Sequence, residues 1–224
     1  MLEDLAMLYQ ALPYLLKGSI VTIELVAGAL ALGLVVGIPM AAGQVYGSKP
    51  VSKIISFYVW FFRGLPVLVL LFLFYFGLFP LLNLDLSAFA AAVLVLGLRS
   101  TAYQSQIFRG SIQSLGSGQM LAARSIGMSR FKAICHIILP QALRISIPGW
   151  SNEYSIILKD SAITYALGVM EILTRGNFIA TRTYKPMPVF LTCAVIFLIL
   201  TYGGVKLLDL LEKKVRTPGY GGRR

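Results

Sequence analysis

Residues 118–144 read Gly-Gln-Met-Leu-Ala-Ala-Arg-Ser-Ile-Gly-Met-Ser-Arg-Phe-Lys-Ala-Ile-Cys-His-Ile-Ile-Leu-Pro-Gln-Ala-Leu-Arg, a polar and basic stretch between long apolar runs. Ala122 and Ala123 are small enough to let a short helix sit deep in a partner's cleft. Gly127 allows a sharp turn, and Pro140 is placed to stop a second helix. Gly118 belongs to the same surface at its N-terminal edge. An ordinary loop between membrane helices is the plainer alternative, but such loops are usually shorter and do not alternate alanine, glycine and arginine. Residues 113–145 therefore read as a docking element.

The chain around it has 224 residues, of which 57% are hydrophobic and 13% charged, with a mean hydropathy of +0.78. Soluble domains carry roughly a quarter charged residues, so about half the usual charge is missing. The apolar residues gather in stretches of about 20 or more, enough for a helix to cross a hydrocarbon core of about 30 Å. The chain is an integral membrane protein of all-α class. Its net charge of +11 does not mark a nucleic-acid binder, because no aromatic–basic array accompanies it. Cys135 lies in the basic loop and Cys193 in the last span, which argues against a disulfide between them, and His136 has no second ligand at metal spacing.

Five transmembrane helices are expected: about 19–45, 54–78, 87–108, 145–173 and 189–208. Residues 1–18 carry Leu5, Leu8, Leu12, Leu15 and Leu16 at helical spacing, which predicts an N-terminal amphipathic helix on the membrane surface. Acidic Glu3 and Asp4 open the chain, so this is not the basic start of a signal peptide. The membrane-spanning body then covers 19–208, and 209–224 form a cytoplasmic tail. Within the first span, Ala29, Gly33, Gly37 and Ala41 recur every fourth position, a stripe for close helix packing. With the N-terminus outside, thirteen Lys and Arg fall in inner segments 46–53, 109–144 and 206–224, against four outside: Lys17, Arg175, Arg182 and Lys185. The positive-inside bias thus places the N-terminus out, the C-terminus in and the docking loop in the cytoplasm.

Several motifs occur in order along nearly the whole chain: Thr22-Ile23-Glu24-Leu25, Phe62-Arg63-Gly64-Leu65-Pro66-Val67-Leu68, Ala102-Tyr103 through Phe108-Arg109-Gly110, and Ser151-Asn152-Glu153 followed by Leu158-Lys159-Asp160-Ser161-Ala162. Together with Ala122-Ala123, Gly127 and Ile138-Leu139-Pro140 they resemble the membrane permeases of ABC importers for polar amino acids, the His/Glu/Gln/Arg/opine group. The docking stretch is similar to that family's cytoplasmic EAA loop. Three positions depart from the pattern: Leu65 for threonine, Gln106 for glutamate, and Leu121 for the glutamate that gives the loop its name. The last departure puts one ion pair with the ATPase in doubt and keeps the steric fit. The resemblance implies a type I importer bundle with coupling helices in the prokaryotic cell membrane. It also implies a second permease copy or related permease, a pair of ATPase subunits holding ATP and Mg, and an extracytoplasmic substrate-binding protein. On this reading Gly118, Ala122, Ala123, Gly127 and Pro140 couple to the ATPase.

The chain has no glycine loop ending in Gly-Lys-Ser/Thr, so it is expected to bind no nucleotide or other cofactor of its own and to catalyse nothing. Ionisable groups at membrane depth are costly and usually face a cavity. Arg99, followed by Ser100, Thr101 and Tyr103, can either hold a substrate carboxylate or form an internal ion pair. Glu153 and Asp160 lie two helical turns apart and project from one face, where two carboxylates suit a cationic side chain. Ser161 joins them. Arg63 reads as a structural residue at the Gly64-Pro66 kink, and Glu24 as interfacial or functional alike. In the resembling family, glutamate after Ser-Asn is similar to permeases for basic amino acids, so arginine, lysine or histidine is the expected cargo. Acidic or amide amino acids are the nearer alternative. An ion-driven secondary carrier, which usually shows internal repeats, is the more distant one. A membrane scaffold would leave Arg99, Glu153 and Asp160 without a reason to be there.

Overall fold

The computed structural model describes residues 2–215; Met1 and the tail beyond Val215, with Arg216, Arg223 and Arg224, lie outside the described residues, as do the side chains of Glu3 and Asp4. In chain order the helices are α1 (Leu2–Tyr46), α2 (Lys49–Gly64), α3 (Val67–Phe72) and α4 (Phe79–Leu81). They are followed by α5 (Ala88–Ser114), α6 (Gly118–Ser125), α7 (Arg130–Ala133), α8 (Leu139–Asp160), α9 (Ile172–Thr183) and α10 (Pro186–Val215). A π-helical turn joins α3 to α4, another joins α7 to α8, and a 3-10 stretch, Ser161–Leu167, follows α8.

Residues 2–46 form one helix of 45 residues, about 67 Å long at the α-helical rise. The segment 1–18 is therefore not a separate helix from the first span. Leu15 is fully buried and, with Met7 and Leu8, packs on α9 and α10 through Ile172, Ala180, Val189 and Cys193. The side chain of Leu5 lies outside the described residues; of the other leucines expected at a lipid surface, Leu15 faces protein while Leu12 and Leu16 are exposed.

By length and apolar composition, α1 and α10 can each cross a membrane, and α2 with the helix over Val67–Leu81 makes a third if counted as one broken span. That pair bends by 108° at Leu65-Pro66. Proline lacks the N–H that would continue the ladder, and it forces Leu65 into an extended conformation at φ −104°, ψ 143°. α5 and α8, read from sequence as the third and fourth spans, fall short of the same apolar test because polar side chains replace apolar ones on their inner faces. Ser100, Thr101, Gln104 and Ser105 are fully buried in α5.

The fourth span also ends earlier than expected. α8 stops at Asp160, and Gly168, at φ 79°, turns the chain toward α9. Glu171 caps α9, its carboxylate accepting from Leu173 N at 2.8 Å and Thr174 N at 2.6 Å. Much of 174–188, the stretch between the fourth and fifth expected spans, is consequently helix. Tyr184, at φ 55°, reverses the chain into α10.

The longest helix contact is between α1 and α5. The four-residue stripe makes it possible: Ala29 and Ala41 are fully buried, and a Cβ on Gly33 would strike the amide of Gln104. A Cβ on Gly37 would sit 3.2 Å from the backbone nitrogen of Ser105. Small residues let the two backbones approach closely, and that approach brings α5's polar face against α1 and α8.

Candidate functional site

The inner face of α5 carries a connected polar network. Gln104 Nε2 donates to Leu30 O of α1 at 3.1 Å and to Ser100 Oγ at 3.0 Å, while its Oε1 accepts from Trp150 Nε1 of α8 at 2.9 Å. Ser100 in turn donates to Glu153 Oε1 at 2.7 Å. Glu153 is 1% exposed, and no arginine forms an ion pair with it among the described residues. A buried carboxylate held by one hydroxyl is a site with unused acceptor capacity.

One α5 residue away the arrangement differs. Arg99 Nη1 meets Asp160 Oδ2 at 2.6 Å, both side chains partly buried. Of the two readings open for Arg99, the structure has the internal ion pair. Glu153 and Asp160 do share one stripe of α8, but they are not a pair of free carboxylates. Asp160 is neutralised by Arg99, leaving Glu153 as the acid without a cation.

Tyr103 meets two guanidinium groups, the Cζ atoms of Arg63 and of Arg99 each lying 4.8 Å from its ring centroid. Cation–π attraction at this range holds the end of α2 against α5. Arg63 is exposed and has no carboxylate within ion-pair distance among the described residues. Sequence reading placed it at the kink, where it does stand, in the last turn of α2. What it missed is that the turn beside the 108° break lies over Tyr103, with the guanidinium on the ring and in no ion pair among the described residues. The signal was present: an arginine at the broken end of a membrane-depth helix usually faces a cavity.

Ser161 does not join the site, since its hydroxyl donates to Leu158 O at 2.7 Å and the residue is fully buried. Glu24 is exposed on α1. Arg175, expected on an outer loop, is turned onto Tyr14 at 4.5 Å and donates to Met170 O. Gln106, where the motif has glutamate, still accepts from Arg109 at 3.2 Å and donates to Gln44 Oε1 at 2.8 Å. The contact survives without the charge.

The docking segment is α6, a turn and α7. Met128 N bonds to Ala123 O and Gly127 N to Arg124 O, both at 3.1 Å, and Gly127 stands at φ 82°. This double closure around a left-handed glycine is a Schellman turn. Ser129 then caps α7 through Lys132 N. Gly118 and Ala122 face out, whereas Ala123 is 1% exposed and packs on its own chain, so only one of the small pair is available to a partner. Pro140 does not stop a helix. It lies in the first turn of α8, and the π-helical turn Ile134–Ile138 ahead of it absorbs the missing N–H.

Residues 33–217 match the family model described as "Binding-protein-dependent transport system inner membrane component". The chain is 34% identical over 210 residues to the histidine/lysine/arginine/ornithine transport system permease protein HisM of Escherichia coli K12, covering 90% of this chain and 88% of HisM. It is 33% identical over 218 residues to the nopaline transport system permease protein NocM of Agrobacterium fabrum, covering 93% and 90%. A crystal structure of an amino acid ABC transporter with histidines superimposes at a TM-score of 0.83 and 32% identity, covering 92% of this chain and 96% of that one. The motif order, the bundle built on α1 and α5 and these likenesses converge: the chain belongs to the inner-membrane permeases of amino-acid ABC importers, in which a separate subunit hydrolyses ATP.

Proposed function

We propose that this permease contributes its five spans as one half of a translocation path for basic amino acids, with arginine, lysine or histidine as cargo. The observation that carries the reading is Glu153: a carboxylate at membrane depth with Ser100 as its hydrogen-bond donor and no cationic partner among the described residues. A visiting ammonium or guanidinium supplies that partner. Arg63, with no ion pair among the described residues, takes the cargo's own carboxylate, and Arg99, paired with Asp160, holds the Tyr103 ring beside it. HisM's printed cargo, histidine, lysine, arginine and ornithine, supports the same class. Removing one partner of a desolvated charge pair costs about 2–5 kcal/mol, so Glu153→Gln lowers arginine and lysine uptake by at least about thirtyfold and glutamine uptake far less. Arg63→Gln lowers uptake of every amino acid. Competitive uptake in vesicles reconstituted with the ATPase and binding protein checks both; unchanged arginine uptake by Glu153→Gln overturns the cargo assignment.

The path is completed by a second copy or a related permease, and an extracytoplasmic binding protein delivers cargo on the side of α9. On the opposite side, α6 seats in a pair of ATPase subunits that hold ATP and Mg, offering Gly118 and Ala122 outward while Ala123, Gly127 and Pro140 fix its shape. Nucleotide-driven closure of those subunits then moves the helices around the site. A Cβ on Gly127 meets no atom within 4 Å, and aspartate tolerates a left-handed backbone better than most residues. Gly127→Asp is therefore expected to leave the fold intact and to uncouple ATP hydrolysis from uptake in the purified complex; full, normally coupled uptake contradicts the seating.

The thirteen-to-four distribution of basic residues supports an inside location for this loop. A cysteine at position 83 then reacts with an impermeant maleimide on intact cells, and one at position 132 only after the cells are opened. The reverse pattern overturns the orientation.

A further inference from the structure

Trp150 and Glu153 stand three residues apart on α8, and Ser100 and Gln104 four apart on α5, so each pair presents neighbouring side chains to the facing helix. The two helices come close just before this point, where a Cβ on Gly149 would lie 2.8 Å from Cγ2 of Ile107. Trp150 Nε1 donates to Gln104 Oε1 at 2.9 Å, Gln104 Nε2 to Ser100 Oγ at 3.0 Å, and Ser100 Oγ to Glu153 Oε1 at 2.7 Å.

This run of hydrogen bonds has a direction, and its outer partners set it. An indole N–H can only donate, and a peptide carbonyl can only accept. With Trp150 on one side and Leu30 O on the other, 3.1 Å from Nε2, a single orientation of the Gln104 amide satisfies both. Turned over, the amide would set its NH2 group against the indole N–H and its oxygen against Leu30 O. It would also offer Ser100 an oxygen in place of an N–H, drawing the hydroxyl proton away from Glu153. The Trp150 ring also lines a cavity of about 420 Å³, with apolar Val26, Leu30, Leu34 and Leu158 in its wall. Tyr154 brings a hydroxyl to that wall, and it is engaged in donating to Leu200 O at 2.9 Å. Gln104 Oε1 is thus the acceptor that satisfies the indole.

We infer that Trp150 is a positioning residue for cargo: by keeping the Gln104 amide in one orientation, its indole N–H keeps the Ser100 hydroxyl pointed at Glu153. Trp150 itself touches no cargo. It acts through Gln104 and Ser100 on where the carboxylate stands and on which lone pairs are left for a visiting cation. A hydroxyl donated to a carboxylate is a stronger bond than one between neutral groups, so its loss is felt at the cargo site. The role of Trp150 rests on the proposed part of Glu153 in basic-cargo binding.

Equilibrium binding of labelled arginine and glutamine to the purified permease–ATPase complex tests this, with 3-benzothienylalanine in place of Trp150. The analogue keeps the shape of the indole and has sulfur where the N–H was, so packing stays and the donor goes. Arginine binding is expected to weaken roughly tenfold, the effect of one hydrogen bond to a charged group, and glutamine binding by less than about twofold. In a Gln104→Leu background the same replacement is expected to cost nothing further. Wild-type arginine binding by the analogue-bearing chain, alongside a loss in Glu153→Gln, overturns the role of Trp150 and leaves the cargo reading standing. Equal losses for arginine and glutamine overturn it in favour of packing alone, and unchanged arginine binding by Glu153→Gln overturns both. If the analogue-bearing chain does not assemble, Trp60→Phe leaves Trp150 as the one indole in the chain. Its N–H Raman band then shifts toward that of a free indole on Gln104→Leu, and an unmoved band overturns the inference.

Discussion

One side-chain amide holds the centre of this bundle. Gln104 of α5 bonds to a backbone carbonyl of α1, to Trp150 of α8 and to Ser100 on its own helix, and Ser100 passes the contact on to Glu153. In a medium without water each of these groups must be satisfied by protein, because an unpaired buried donor or acceptor costs about 1–3 kcal/mol. The network therefore specifies how α1, α5 and α8 pack, and it fixes a buried carboxylate, Glu153, that has no ion pair among the described residues. Packing and cargo recognition share the same atoms.

The close approach of α1 is the precondition. Only a residue without a Cβ fits at position 33 while the Gln104 amide lies against it. From there the chain of consequence runs outward: α5's polar face turns inward, Arg99 reaches Asp160, and Tyr103 meets the guanidinium groups of both Arg99 and Arg63. The last of these needs the break at Leu65-Pro66, so the kink in the α2–α3 pair has a chemical outcome as well as a steric one.

What could be read from the sequence was local. The stripe Ala29, Gly33, Gly37, Ala41 shows as a four-residue period, and the turn at Gly127 follows from its glycine between a basic helix and a Ser cap. Arg99–Asp160 was harder, since its partners lie 61 residues apart and the same arginine fits substrate or partner equally well until helix packing is known. Arg63 was placed at the kink, but its contact with Tyr103 was not legible, because a proline break says that the chain bends and not where the bend points. The segment 145–173 was drawn as one span because nothing in its apolar content marks Asp160 as a helix end. Glu171, counted inside that span, is instead the cap that starts α9. Ala123 looked equivalent to Ala122, and only the helix face distinguishes them.

The central claim is that the packing network and the cargo carboxylate act as one unit. A double-mutant cycle on the reconstituted transporter tests it: Gln104→Leu, Glu153→Gln and the double variant, each measured for half-saturation by arginine. If Ser100, held by Gln104, positions the Glu153 carboxylate, the two changes are non-additive, with a coupling of at least about 1 kcal/mol, because residues in one hydrogen-bond network couple by about 0.5–3 kcal/mol. Additive effects within about 0.3 kcal/mol, the behaviour of independent sites, would contradict it.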